Sequence, residues 1–273
     1  MNLNHPEFAL GKKSDYETYY NPNKLFPIPR QIKRNEIGVP EQFPFKGADI
    51  WNHYEVSWLN RKGKPQVAIA EIIYGCESPC IIESKSMKLY FNTLNNTKFD
   101  DIETVRKTVE DDISKCVGLQ AQVSLSLLDG NENVMLKGFD GQSLDGLDIE
   151  ITSFNVDKNL LSTSEERVEE VLFSNLLKSN CLVTNQPDWG SIKISYRGRK
   201  INREGLLRYI ISFRDHNEFH EQCIERIFMD IQERCQPESL TIYGRYTRRG
   251  GLDINPVRST EKIQPKNIRN KRQ

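Results

Sequence analysis

Nowhere in the 273 residues do about 18 apolar residues run together, the length that a membrane-crossing helix needs. The opening MNLNHPEFALGKKSDYETYY lacks an apolar core behind a basic start, which argues against a secretion signal. Charge of one sign is missing too. Lys plus Arg and Asp plus Glu number 38 each, so no global field draws nucleic acid or a membrane, and an anionic ligand would need a local basic cluster. Cysteine is scarce: six residues, at 76, 80, 116, 181, 223 and 235, are too few and too irregular for a disulfide-stapled secreted domain. The expectation is a cytoplasmic protein with most thiols reduced and buried. No GxGxxG or GxxxxGKS string occurs, which argues against a Rossmann or P-loop nucleotide site.

What is present suffices for a folded core: 37% hydrophobic and 9% aromatic residues, in a chain long enough for two ordinary modules or one large one. Residues 1–45 carry Pro6, Pro22, Pro27, Pro29, Pro40 and Pro44 with little periodicity and read as an extended arm laid over a domain. Aromatic and β-branched runs at 49–59 and 66–74, separated by Asn60, Gly63 and Pro65, predict a hairpin. Met87, Tyr90, Phe91 and Leu94 fall at helical spacing after a capping Ser84, and Ile102, Val105, Val109, Ile113 and Cys116 repeat the stripe. Val123, Leu125 and Leu127 alternate as a strand does, and a further strand is expected at 147–154.

The second half repeats this order, with strands at 168–176 and 191–196, helices at 203–213 and 217–235, and strands at 239–247 and 252–258. Two copies of one ββααββ unit follow, giving an α+β protein with an arm at 1–45, modules at 46–156 and 157–258, and a basic tail at 259–273 that reads as a solvated end. Cys223 and Cys235 lie on the apolar stripe of the long helix and read as core residues.

Several constellations have a chemical and a structural reading. In SNCLVTNQPDWG, Cys181 precedes Asp188 by seven positions. A thiol with ordinary pKa is only about 3% ionised at neutral pH, so a nucleophilic Cys181 needs a nearby base, cation or helix N-terminus. Seven extended residues would span up to about 23 Å, so the two groups meet only if the chain reverses, and Gln186–Trp189 is the expected turn. Trp189 would then desolvate the Asp188 carboxyl and favour its protonated form. The structural reading is a buried thiol beside an ordinary turn, and spacing does not decide between them.

Glu83, Ser84 and Lys85 open a predicted helix, which is either an anion-organising site or simply a capped start. His220 and Glu221 sit near the start of the long helix, where a carboxylate matches the adjacent N–H donors of a guanine-like ring, or where both are surface residues. His216 and His220 at i and i+4 share a face, yet no HExxH is present and no metal is expected. Arg249 and Gly250, in RRGG at 248–251, suit a phosphate or an exposed turn equally.

ESKSMKLY at 83–90, NCLVTNQPDWGS at 180–191, FHE at 219–221, RRGG at 248–251 and the early LGKKSDYETYYNP occur in this order across nearly the whole chain. Together they resemble the NADPH-dependent 7-cyano-7-deazaguanine reductases, the nitrile reductases of queuosine biosynthesis, in their long two-module form. The resemblance implies tandem tunnelling-fold modules, each with antiparallel strands and a helical pair on one face. Because ESKSMKLY occurs only in the first half and the cysteine motif only in the second, it implies that a complete site draws on both halves.

By the same resemblance, Cys181 attacks the nitrile carbon to give a thioimidate and Asp188 supplies protons. Ile82, Glu83, Ser84, His220 and Glu221 hold the deazapurine, and Ser84, Lys85, Arg249 and Gly250 hold NADPH, which delivers hydride twice. A homodimer in the cytoplasm is implied, with no metal, no membrane and no direct nucleic-acid partner. Two competing readings are a zinc cyclohydrolase of the same fold, which would need a Cys/His ligand set, and an RNA-binding protein using the basic tail.

Overall fold

The structure is a computed structural model and describes residues 16–128 and 136–273. The first fifteen residues of the expected arm, with the start of LGKKSDYETYYNP, lie outside the described residues. Eleven strands and five α-helices are described: β1 (Pro27–Pro29), α1 (Gln31–Glu36), β2 (Lys46–Leu59), β3 (Pro65–Gly75), β4 (Cys80–Ile82), α2 (Ser84–Leu94), α3 (Ile102–Val117), β5 (Gln122–Leu127), β6 (Gln142–Ser143), β7 (Thr163–Ser174), β8 (Lys178–Asn180), β9 (Pro187–Ile201), α4 (Arg203–Ser212), α5 (His220–Cys235), β10 (Ser239–Tyr246) and β11 (Leu252–Ser259). The architecture is mixed α+β with mainly antiparallel pairing. Among the described residues, no helix is long and apolar enough to cross a membrane.

The chain forms two compact units, each discontinuous in sequence. Of the described residues, the first takes 16–32, 49–128 and 248–254, and the second takes 33–48, 136–247 and 255–273. Residues 248–254 belong to the first unit because they bond to β2. The Tyr54 N–H donates to Gly251 O at 2.9 Å, and Asn52 and Tyr54 both donate to the Asp253 carboxylate at 2.7 Å.

In the first unit β2 and β3 form the expected hairpin, and β5 pairs antiparallel with β3. Alternation places Ala68, Ala70, Ile72 and Tyr74 on one face, where they join Trp51, Val56 and Trp58 of β2. Met87, Tyr90, Phe91 and Leu94 of α2 and Val105, Val109, Ile113 and Val117 of α3 complete the same core, at helical spacing. Each such side chain contributes about 1.5–3 kcal/mol on burial. Residues 16–32 of the arm are tied to this unit: Tyr20 and Tyr90 hydroxyls both donate to Asp112, at 2.9 and 2.7 Å, and β1 pairs with β4.

In the second unit β9 is central, antiparallel to β10 on one side and β7 on the other, with β11 beyond β10 and the short β6 parallel to β7. Cys223, Ile224, Ile227, Phe228 and Ile231 of α5 are fully buried, as are Leu206 and Ile210 of α4. A Cβ on Gly244 of β10 would lie 2.7 Å from Ile224 Cδ1, so the absent side chain sets how closely α5 approaches the sheet. Segment 33–48 is anchored by a buried triad in which Arg34 and Arg258 both donate to Glu225, with nitrogen–oxygen distances from 2.6 to 3.0 Å.

Three expectations are corrected. Residues 147–154 form no strand, since the short pairing with β7 is made by Gln142–Ser143 instead. The helix over 217–235 starts only at His220, because the Glu218 N–H and carboxylate are committed to Asn180, His216 and Arg226. The tail is docked rather than solvated: Asn270 and Gln273 are buried, and Arg272 donates to Asn175 O at 2.8 Å.

Candidate active site

Cys181 and Asp188 lie on the two arms of one hairpin in the second unit. β8 pairs with the start of β9, placing Ser179 opposite Asp188 and Asn180 opposite Pro187. Cys181 follows β8 and continues the ladder: its N–H donates to Gln186 O at 2.8 Å, and its carbonyl accepts from Asn185 N–H at 3.0 Å. Alternate strand residues share a face, so Cys181, Ser179 and Asp188 belong to one side of the hairpin. Both Cys181 and Asp188 are buried, at 6% and 3% exposure.

The reversal is therefore made by residues 181–186, with Asn185 in the left-handed region at φ 56°, and not by Gln186–Trp189 as the proline suggested. Asn tolerates this conformation better than other side chains. Pro187 opens a strand, where its missing N–H costs little. Trp189 does not desolvate Asp188, since adjacent strand residues face opposite sides. Its ring instead receives the guanidiniums of Arg214 and Arg272, at 5.3 and 5.8 Å.

Asp188 instead keeps company with α5 and β10. His220 Nε2 is 3.8 Å from Asp188 Oδ1, and the His220 ring stands edge-on to Tyr246 with centroids 4.1 Å apart. Burial, together with the nearby Cys223 and Asp188, holds the Tyr246 hydroxyl well above its ordinary pKa, and burial pushes the Cys223 thiol up to about 12. Cys223 is thus a core thiol, as its place on the stripe predicts. Ser179 brings a fully buried hydroxyl, opposite Asp188, that has no hydrogen-bond partner among the described residues.

Asn217, Glu218 and Arg226 escaped the sequence reading. Asn217 Nδ2 donates to Cys181 O at 3.2 Å and to Asn185 Oδ1 at 3.0 Å, fixing both ends of the loop that carries the thiol. Glu218 is gripped by Arg226 through two 2.9 Å bonds and by His216 Nε2 at 3.0 Å. Burial opposes its charge, yet the His216 and Arg226 bonds hold its carboxyl below the usual range. His216 precedes α5, so it and His220 do not share a helix face. The sequence signal for Asn217 and Glu218 is the run of five consecutive polar residues, 214–218, before FHE, with no periodicity of its own.

Glu221, 1% exposed, lies in the first turn of α5, where Phe219 offers no side-chain cap and the helix dipole favours a carboxylate. The other sequence-derived residues lie in the first unit. Ile82 ends β4, and Glu83, rather than Ser84, caps α2: its carboxylate accepts from the Lys85 and Ser86 N–H groups at 2.8 and 2.7 Å. Ser84 and Lys85 are the first two residues of that helix. Burial raises the Glu83 pKa against the pull of these two backbone bonds. Ser86 ties the cap to the arm, donating to Glu83 O at 2.7 Å while accepting from Phe26 N–H at 3.0 Å.

Arg249 and Gly250 belong to a tight hairpin turn. Arg249 and Leu252 bond to each other at 2.8 and 3.3 Å, while Gly250 and Gly251 sit at φ 55° and 75°, a pair of left-handed positions that glycine accepts. Beside it is a cavity of about 240 Å³ lined by His53, Glu55, Ser57, Lys88, Asn92, Asn95 and Gly250. A Cβ on Gly250 would lie 2.9 Å from Lys88 Nζ. Of the residues expected to hold the cofactor, Gly250 lines this cavity, where Lys88 offers a cation and Glu55 a carboxylate; Ser84, Lys85 and Arg249 are not among its lining residues. Among the described residues, no group of three or more His, Cys, Asp or Glu is arranged to hold a metal ion.

The family described as nitrile reductase, 7-cyano-7-deazaguanine-reductase N-term, matches residues 16–125, and that described as QueF-like protein matches 187–265. A Legionella pneumophila protein is 64% identical over 254 residues, covering 92% of this chain and 89% of its own. Proteins of Ralstonia nicotianae and Polaromonas are 53% and 54% identical, each over 99% of this chain and 100% of theirs. All three are named NADPH-dependent 7-cyano-7-deazaguanine reductase. The two matches and these near full-length identities lead to one assignment: the chain belongs to the NADPH-dependent 7-cyano-7-deazaguanine reductase family.

Proposed function

We propose that this protein is the NADPH-dependent oxidoreductase that converts the nitrile of 7-cyano-7-deazaguanine to the aminomethyl group, in queuosine biosynthesis, through a covalent adduct on Cys181. The observation that carries the reading is the hairpin that puts a buried thiol and a buried carboxyl on one face, with His220 3.8 Å from the carboxyl.

The Cys181 sulfur adds to the nitrile carbon, one C–N π bond opens, and the nitrogen takes a proton, leaving a thioimidate. Asp188, buried on the same face of the hairpin as the thiol, is the proton donor. NADPH supplies hydride when bound, and full reduction to the amine consumes two hydrides and two protons. Asn217 holds the Cys181 carbonyl, so the thiol does not drift as the adduct forms and breaks. Glu221, beside His220, accepts from the N–H edge of the deazapurine, and Ile82, Glu83 and Ser84 are carried over as deazapurine contacts by the family resemblance alone. Ser84, Lys85, Arg249 and Gly250 hold NADPH.

Each unit is read as a tunnelling-fold module, a reading supported by its antiparallel strands and its helical pair, α2–α3 or α4–α5. The protein is further read as a cytoplasmic homodimer acting on a free deazapurine, without direct contact to nucleic acid. The test is stoichiometric. Purified protein with limiting nitrile should oxidise two NADPH per nitrile, followed at 340 nm, with the amine as product. No nitrile-dependent loss of absorbance would refute the reading.

A further inference from the structure

The ladder between β10 and β11 runs from Thr241 opposite Ser259 to Tyr243 opposite Val257. The next residue of β11 is Pro256, which has no N–H with which to extend it. The carbonyl at the end of β10, that of Tyr246, takes its donor from elsewhere. Gln273 provides it: Nε2 donates to Tyr246 O at 3.0 Å and to Asn255 Oδ1 at 2.8 Å. Its Oε1 accepts from Arg245 Nε at 2.9 Å and from Asn270 N–H at 3.1 Å.

Both donors and both lone pairs of the amide are thereby used, in a residue only 7% exposed. Glu would lose the donors, Lys the acceptor, and Asn one methylene of reach. The socket also answers a second need. Arg245 is 2% exposed, and its other bonds go to the Tyr243 hydroxyl at 2.8 Å and Asn267 Oδ1 at 2.6 Å, so three neutral oxygens hold a buried cation.

Tyr246 is where the socket meets the chemistry. It pairs with Gly190, and the next N–H, of Thr247, donates to Trp189 O at 2.8 Å, so its backbone is bonded alongside the residues that follow Asp188. Its ring packs edge-on against His220, whose Nε2 is 3.8 Å from Asp188. We propose that Gln273 is a positioning residue, whose amide socket holds the Tyr246 ring against His220 and thereby sets the His220–Asp188 pair. Its part in turnover rests on the function proposed above; its hold on His220 does not.

The test uses the full chain. Gln273→Met keeps length and removes all four bonds, Gln273→Glu keeps the two acceptor bonds and removes the two donor bonds, and Ile231→Val in the core of α5 is a mild stability control. Ring-proton resonances of His220, assigned with His220→Gln, are compared across the variants, because they sense the ring current of Tyr246. Both Gln273 variants should move these resonances, Ile231→Val should not, and kcat should fall roughly tenfold or more with KM for NADPH unchanged, as displaced catalytic groups give. Should Gln273→Met not fold, Gln273→Glu alone decides. Unmoved His220 resonances would overturn the socket's reach. Moved resonances with kcat as in Ile231→Val would overturn its part in catalysis. An unsubstituted protein with no nitrile-dependent turnover would refute the proposed function, while the resonance comparison would still decide the socket.

Discussion

At the level of single residues, a few buried polar groups govern both the proposed chemistry and the stability of the chain. Asp188→Asn removes the proposed proton donor and should lower kcat by about 10²–10⁴-fold, with far less effect on binding of the nitrile, which steady-state kinetics and calorimetry separate. A normal rate would exclude Asp188 as the donor. His53 offers a pH test. Burial leads the causes that lower its pKa to about 4, with Lys88 adding to it and a bond to Gly251 O opposing. Between about pH 6.5 and 4 the unfolded chain binds a proton at His53 that the folded chain does not, so stability falls as pH falls through that window. The loss reaches about 3 kcal/mol, and denaturant midpoints across the window should flatten in His53→Gln. Nothing in the sequence around His53 marked it, because its neighbours are distant in the chain: the Phe91 ring, with centroids 4.3 Å apart, and the carbonyl of Gly251, 198 residues away. The spacing of Cys181 and Asp188, by contrast, drew attention to both but left a chemical and a structural reading open, and the hairpin puts the two on one face. The turn between them was misplaced because proline suggests a corner, while a strand that begins with proline satisfies its missing N–H just as well.

At the scale of the element, periodicity located both helical pairs and the long strands to within a few residues, because each buries one face in a core that demands period 3.6 or 2. The short pieces were invisible: β1, β4 and β8 are three residues each, too short to show a period, and α1 is fixed by Arg34 bonding into its own unit rather than by an apolar stripe. Caps were legible only in type. A capping group before α2 was expected, yet Glu83 takes the role from Ser84, since its longer side chain reaches two N–H groups at once. Glu83→Ala should therefore cost about 1 kcal/mol as a lost cap, measured by thermal unfolding, in addition to any loss of substrate binding. The α5–β10 contact gives a sharper test. Gly244→Ala places a methyl group 2.7 Å from Ile224 Cδ1 and should destabilise the protein by about 1–3 kcal/mol through overpacking, partly restored by Ile224→Val.

At the scale of the whole molecule, the α+β class was legible from the order of elements, whereas the partition was not, because segments 33–48 and 248–254 each belong to the other unit from their sequence neighbours. Long-range polar bonds decide these memberships, and hydrophobic pattern does not record them. The Arg34–Glu225–Arg258 triad is the clearest case: Glu225→Gln leaves two buried guanidiniums facing a neutral amide and should cost about 3–5 kcal/mol in chemical denaturation, an unusually large effect for one isosteric change. Cys181 is proposed to carry the nitrile covalently. Intact-protein mass spectrometry with 7-cyano-7-deazaguanine and no NADPH tests it most directly: one added nitrile per chain that disappears in Cys181→Ala is the predicted result, and an addition that survives that substitution, or none in the unsubstituted protein, would contradict it.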